Sequence, residues 1–165
     1  MAADERADAI PDGRDETETE RLDRNWNEIL QELRVVQTGT QILTGFLLTL
    51  PFQQRFGDLD PIEIGIYLTL VSLAAVATLL ALTPVALHRA LFRQRARRFI
   101  VGVANRLLRA SLLVIALTLT GTALLVFSVV VSLTAGIVAA AVVLVLSVVG
   151  WVALPLFARS RRPAG

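Results

Sequence analysis

No cysteine occurs in the sequence, which excludes disulfides, thiolate metal sites and cysteine nucleophiles outright. Lysine is absent as well, so all 16 basic residues are arginine. That choice reflects the base composition of a genome and not a function. There is one histidine, His88, and the ten glycines are scattered without a phosphate-cradling loop. The segments 35-52, 64-87, 110-131 and 137-157 contain no Asp, Glu, Lys, Arg or His at all. Proton and ion relays through a membrane generally use Asp, Glu or His at depth, so these stretches offer such a relay nothing. Serines and threonines within them have no base nearby, which leaves nucleophilic catalysis without support. No catalytic residue, metal site or cofactor is expected.

What the chain does have is apolar bulk. Hydrophobic residues make up 55% of it and its mean hydropathy is +0.64, above an ordinary soluble domain, where apolar content including glycine is roughly 45 to 50%. Charge is segregated: 11 of the 14 acids precede residue 35, and 10 of the 16 arginines follow residue 88. A spanning helix needs about 20 mainly apolar residues, and the four charge-free segments meet or approach that length. The first is short, because Arg34 to Leu50 is 17 residues, roughly 25 Å of helix against a hydrocarbon core of about 30 Å. Asp60 as cap, Pro61 at the first helical position and Glu63 in the first turn mark the start of the second helix. Pro84, His88 and Arg89 mark its end. The run from Ala110 to Phe157 is too long for one crossing, and Ser132 to Gly136 is the natural turn within it.

The expected fold is therefore all-α, an integral membrane four-helix bundle. Its domains are a disordered acidic tail (1-16), a cytoplasmic amphipathic helix (17-34) extending into the first transmembrane helix, the four-helix domain (35-157), and a basic cytoplasmic tail (158-165). Thr17 and Glu20 predict a capping box at the start of the first helix. Arginine in short loops stays cytoplasmic. One arginine lies in the loop 53-63 and none in 132-136, while seven lie in 88-109 and Arg159, Arg161 and Arg162 follow the last helix. Both termini are thus expected on the cytoplasmic side of the inner membrane.

Three groups of residues are candidates for function. In the first helix Leu22, Trp26, Ile29 and Leu33 begin a seam that continues through Val36, Thr40, Leu43, Leu47 and Leu50 at alternating steps of four and three. It serves either as packing against neighbouring helices or as a coiled-coil seam with another copy. Arg34, Gln37, Thr40, Gln41 and Thr44 form a polar stripe at membrane depth. Such side chains hydrogen-bond across helices or line a hydrated path. The basic segment 88-109 has an amphipathic pattern that would lie in the membrane surface, with His88, Arg89, Arg93, Arg97 and Arg98 among anionic headgroups of the lipid bilayer. The bland reading is that these arginines only fix topology. Nucleic acid is excluded as a partner because no aromatic stacking platform accompanies the charge. His88 reads either as a proton switch or as a cation at the negative pole of a helix.

The run Arg24 to Gly39, the run Leu47 to Gln53, and Pro84, His88-Arg89, Leu91-Phe92-Arg93 and Asn105-Arg106 resemble a family of small actinobacterial membrane proteins catalogued as a domain of unknown function. The resemblance covers about residues 20 to 157. Members often carry the label sodium:proton antiporter, which sits poorly with spans free of carboxylates. The resemblance implies that Glu28, Glu32, Arg34, Gln37 and Gln41 form a signature ladder. Three functional readings stay open: a structural or accessory membrane protein acting as a homo-oligomer or a partner in a membrane complex, a small transporter or channel-like protein linked to monovalent cations or protons, and, with least support, an intramembrane enzyme.

Overall fold

The computed structural model describes residues 17–91 and 97–161. Helix α1 runs over Glu18–Thr49, α2 over Pro61–Leu91, α3 over Arg97–Val130, α4 over Leu133–Val148 and the short α5 over Leu154–Ser160. Two 3-10 turns, Leu50–Phe52 and Gln54–Asp58, link α1 to α2. No strand occurs among the described residues.

Both expected caps are formed. The Thr17 backbone N–H donates to Glu20 Oε2 at 2.9 Å, and Glu20 N–H returns to Thr17 Oγ1 at 3.4 Å, which satisfies donors of the first turn. This bonding, to the Thr17 backbone first, holds the Glu20 carboxyl below its ordinary value. At α2, Asp60 Oδ1 accepts from the N–H groups of Ile62 and Glu63 at 2.7 and 2.8 Å, and Glu63 Oε2 accepts from Asp60 N–H. Pro61 needs no partner there because it has no N–H to satisfy.

Pro84 does not end α2. It is fully buried, and the helix runs on for two more turns to Leu91. A proline lacks the donor to the carbonyl four residues back, but packing on α1 and α3 outweighs that loss. The second proline in a helix has a visible local effect. Ahead of Pro155 the chain widens into a π turn at Val149–Ala153, where Leu154 N–H donates to Val149 O. The turn makes room for the ring.

The connection at 88-109 also departs from expectation. Arg97 to Arg109 are the first turns of α3 and continue straight into its apolar part, so they do not form a separate surface helix. Ala104 and Leu108 are buried against Ile29 and Leu33 of α1. The face of this segment that carries Ala104 and Leu108 therefore meets its own chain, with Val103 and Leu107 half-buried.

The core is a three-helix bundle in which α2 is antiparallel to α1 and α3 is parallel to it. One cluster joins Ile29, Leu33, Ala81, Ala104 and Leu108, and the other joins Leu47, Tyr67, Leu70, Ala74 and Leu125. These clusters define a proximal end, with the α2–α3 connection, and a distal end, with the 3-10 turns. All three seams repeat every seven residues. On α1 Leu33, Thr40 and Leu47 are buried at that spacing, with Ile29 one turn before; on α3 Ala104, Ser111, Thr118 and Leu125 are, with Leu108 and Ala116 buried between them. On α2 the buried positions are Tyr67, Leu70, Ala74, Ala77, Ala81 and Pro84, a pattern that keeps one stripe facing inward and gives a left-handed supercoil.

α4 packs on α3 alone among the described helices. Their turn is tight: Ser132 Oγ accepts from Ala135 N–H, and Ser132 N–H donates to Phe127 O. Gly136 sits directly on α3, where an added Cβ would lie 2.7 Å from the carbonyl oxygen of Leu124. Among the described residues three helices are long and apolar enough to cross a membrane, over Pro61–Leu87, Val101–Val130 and Leu133–Ala158. α1 is not among them, because Gln37, Gln41 and its threonines dilute its apolar half.

Candidate functional site

The polar stripe of α1 does not act as one surface. Thr40 points into the bundle and is buried, its hydroxyl donating to Val36 O at 2.8 Å. Gln37 and Thr44 lie on the flank and are half-buried, while Arg34 and Gln41 are exposed. The division follows from helix geometry. Thr40 is seven residues from both Leu33 and Leu47, whereas Arg34 and Gln41, each one residue on from that line, are turned about 100° away from it. Thr44 Oγ1 is shielded from solvent without a hydrogen-bond partner, as are Thr120 Oγ1 and Ser128 Oγ.

The seam, by contrast, is filled from within the chain. Ile29 and Leu33 are buried against α2 and α3, and Trp26 packs against the same proximal cluster. Docking through this seam onto another copy or another protein would require opening the core, so the intramolecular reading holds for Ile29 and Leu33. Of Leu22 only the backbone is described.

The basic group is distributed along two helices. Arg89 is exposed near the end of α2, and Arg106 and Arg109 are exposed on α3. Arg93 lies outside the described residues. His88, Arg97 and Arg98 have helical backbone, in α2 for the first and in the first turn of α3 for the other two.

Two functional features were not anticipated from the sequence. Ser111 and Thr118 of α3 are fully buried, and with Thr40 they are the buried polar residues among those described. Each hydroxyl is engaged by its own helix, Ser111 with Leu108 O and Thr118 with Val114 O, both at 2.8 Å. The seven-residue spacing from Ala104 to Leu125 was the signal that could have found them. The second feature is Arg55, whose Nη1 donates to Val129 O at 3.3 Å. It places a cation on the last turn of α3, the negative pole of that helix. Beside it Phe56 meets Tyr67 edge-on at 5.0 Å, and Tyr67 donates its hydroxyl to Leu47 O at 3.2 Å. A small apolar cleft of about 170 Å³ opens here, between Phe46, Leu50 and Phe56 on one side and Leu125 and Val129 on the other.

Chemically the bundle interior is quiet. Tyr67, whose hydroxyl is held by Leu47 O, is the titratable side chain buried among the described residues; no carboxylate or guanidinium is buried there, and no group of three metal-binding side chains forms. The middle of the core carries small and hydroxyl residues, while both ends carry leucines and aromatics. Such an interior favours close helix approach and gives a proton no carboxylate to occupy.

A family model described as a family of unknown function, DUF6328, matches residues 15–155. No curated protein and no solved structure matches the chain.

Proposed function

Since the chain belongs to the DUF6328 family of unknown function, we propose that it is a four-crossing protein of the inner membrane. Its role is that of a structural or accessory component that works by helix association, and not that of an enzyme or a solute carrier. One observation carries this reading: the buried threonines and serine of the core, Thr40, Ser111 and Thr118, are each tied to their own helix backbone and the buried Tyr67 hydroxyl to Leu47 O of α1, while Arg34 and Gln41 of α1 face outward. Polar groups arranged this way serve contacts between helices and leave no continuous route through the bundle.

Support for a fourth crossing by α1 comes from matched depth. Leu33 and Leu47 of α1 lie against Ala81 and Tyr67 of α2, and the same number of residues separates each pair, roughly 21 Å of helix. α1 thus accompanies a span-competent helix through the same layer, sheltered on one side by α2 and α3. Orientation is supported by charge. Arg34, Arg89, Arg106 and Arg109 gather at the proximal end, while Asp58, Asp60 and Glu63 with Arg55 mark the distal one. Under the positive-inside rule the proximal end and both termini are cytoplasmic. Arg89 and its neighbours His88, Arg93, Arg97 and Arg98 then meet anionic headgroups, at about 1 kcal/mol per arginine.

Two measurements test the reading. A reporter fused after Gly165 reads cytoplasmic, and one inserted after Gly57 reads external; the opposite pair of results overturns the topology. Purified protein in liposomes carries no sodium or proton flux above empty liposomes. Flux that Gln37→Leu plus Gln41→Leu abolishes, at unchanged oligomer size, would replace this reading with transport.

A further inference from the structure

We infer that the outward face of α1 pairs with the same face of a second copy of this chain, the two copies related by a two-fold axis along the bundle. The inference rests on the accessory reading above and names the partner.

The face opposite Leu33, Thr40 and Leu47 carries Thr38 and Gly45 with Val35 and Ile42, which are 74% and 70% exposed, and Gln41 lies at its edge. Hydroxyl groups on outward faces elsewhere satisfy themselves: Thr69 and Ser72 of α2 donate to carbonyls one turn back, as Thr38 does to Arg34 O. Gln41 makes no hydrogen bond among the described residues. An amide with two donors and two lone pairs that faces hydrocarbon is costly, whereas the outward side chains nearest this depth on α2 and α3 are aliphatic, such as Val76 and Leu117, or a hydroxyl satisfied by its own helix, as at Ser72. The same dilution keeps α1 out of the span-competent helices, so a face shielded from lipid resolves both facts.

A second copy fits this face better than an unrelated helix. Exposed Glu28 and Arg34 lie on opposite flanks of the face, three residues on either side of Gln31 in the 3.6-residue turn. Rotation by a half-turn therefore brings each Glu28 alongside the Arg34 of the other copy, which is the charge pattern of parallel helix pairs. Gln41 lies on the Arg34 flank, seven residues further on, where its amide, at once donor and acceptor, meets the polar groups of the facing copy. Nothing lies within 4 Å of a Cβ built on Gly45, so its small size serves no contact inside one chain and admits a close neighbour.

Because the chain has no cysteine, single-thiol variants report contacts without background. Thr38→Cys, Gln41→Cys and Gly45→Cys, oxidised in native membranes with copper phenanthroline, give disulfide-linked dimers. Leu79→Cys on α2 and Leu146→Cys on α4, both exposed, do not. Gln41→Leu raises the dimer dissociation constant in liposomes about 3- to 20-fold, and Gln41→Asn restores most of the affinity. Dimers linked preferentially through residue 79 or 146, or a single photobleaching step per particle in liposomes, overturn the pairing. A monomer without ion flux would sink the pairing alone; ion flux would sink the accessory reading whatever the oligomer.

Discussion

Gly136 lies buried where α4 packs on α3, and replacing it with alanine measures how closely the two helices are fitted. The added Cβ would lie 2.7 Å from Leu124 O and 3.0 Å from Ser128 N, and it would collide with Ser128 Oγ; ordinary contact begins at 3.4 Å. Ser128 Oγ can rotate away, but the carbonyl and amide belong to the α3 backbone and cannot yield separately. α4 must therefore retreat by about 0.7 Å at the crossing to restore ordinary contact. No other helix holds it in place among those described, so the displacement is transmitted along the whole hairpin. Overpacking of this kind costs about 1 to 3 kcal/mol. Gly102→Ala is the matched control: it lies exposed on α3 with nothing within 4 Å of the new Cβ, and alanine gains up to about 1 kcal/mol in a helix interior. Thermal unfolding in a mild detergent, followed by circular dichroism, compares the two. Gly136→Ala melts lower than the parent protein and Gly102→Ala melts at or above it. Equal melting of both variants would refute the close crossing and with it the assignment of Gly136 as the contact point.

Other outcomes follow from the same geometry. Thr40→Val keeps the buried shape and loses a hydroxyl that bonds only its own helix, so it changes thermal stability little; Thr40→Leu forces extra volume among small residues and costs about 1 to 3 kcal/mol. Arg55→Ala removes the guanidinium from Val129 O, and protease digestion of outward-facing loops in spheroplasts cuts 53–60 faster than in the parent. Glu20 is a carboxylate held below its ordinary value of 4.5 by its bonds to Thr17. Its contribution to the start of α1 is therefore complete above that value and is lost as pH falls through the lowered one. Amide exchange at residues 18 to 21 accelerates in that acid range, and Glu20→Gln removes the pH dependence.

Much of the architecture was legible from the sequence because long charge-free segments and caps act locally. Asp60-Pro61 and Thr17-Glu20 specify helix starts through bonds that span three residues, and the structure forms both. Membership of a family of unknown function agrees with the resemblance carried by residues 24 to 39. Pro84 misled because its local penalty was weighed without the tertiary packing that buries it on both sides. The segment 88-109 misled for a related reason: an amphipathic pattern fits a membrane surface and a helix partner equally well, and Arg97 to Arg109 open α3 and bury Ala104 and Leu108, which lie outside the expected stripe, against α1. The polar stripe of α1 was legible as a stripe but not as a divided one. Which of Thr40 and Gln41 faces inward depends on where α2 and α3 sit, and α1 alone does not encode that. Arg55 was counted for topology, and its reach to α3 is a contact between residues 74 apart in the chain.

The isolation of α4 bears on how this protein could have been assembled. With Leu47, Tyr67, Leu70 and Leu125 closing the core at one end and Leu33 with Leu108 at the other, a chain stopping before Leu133 already holds a finished interior. The last helix adds no keystone. In the four-crossing arrangement it changes an odd number of passages to an even one, carrying Arg159 and Arg161 back to the compartment where translation began. Loss of that hairpin arm would leave a sound trunk with its tail stranded on the wrong face of the membrane.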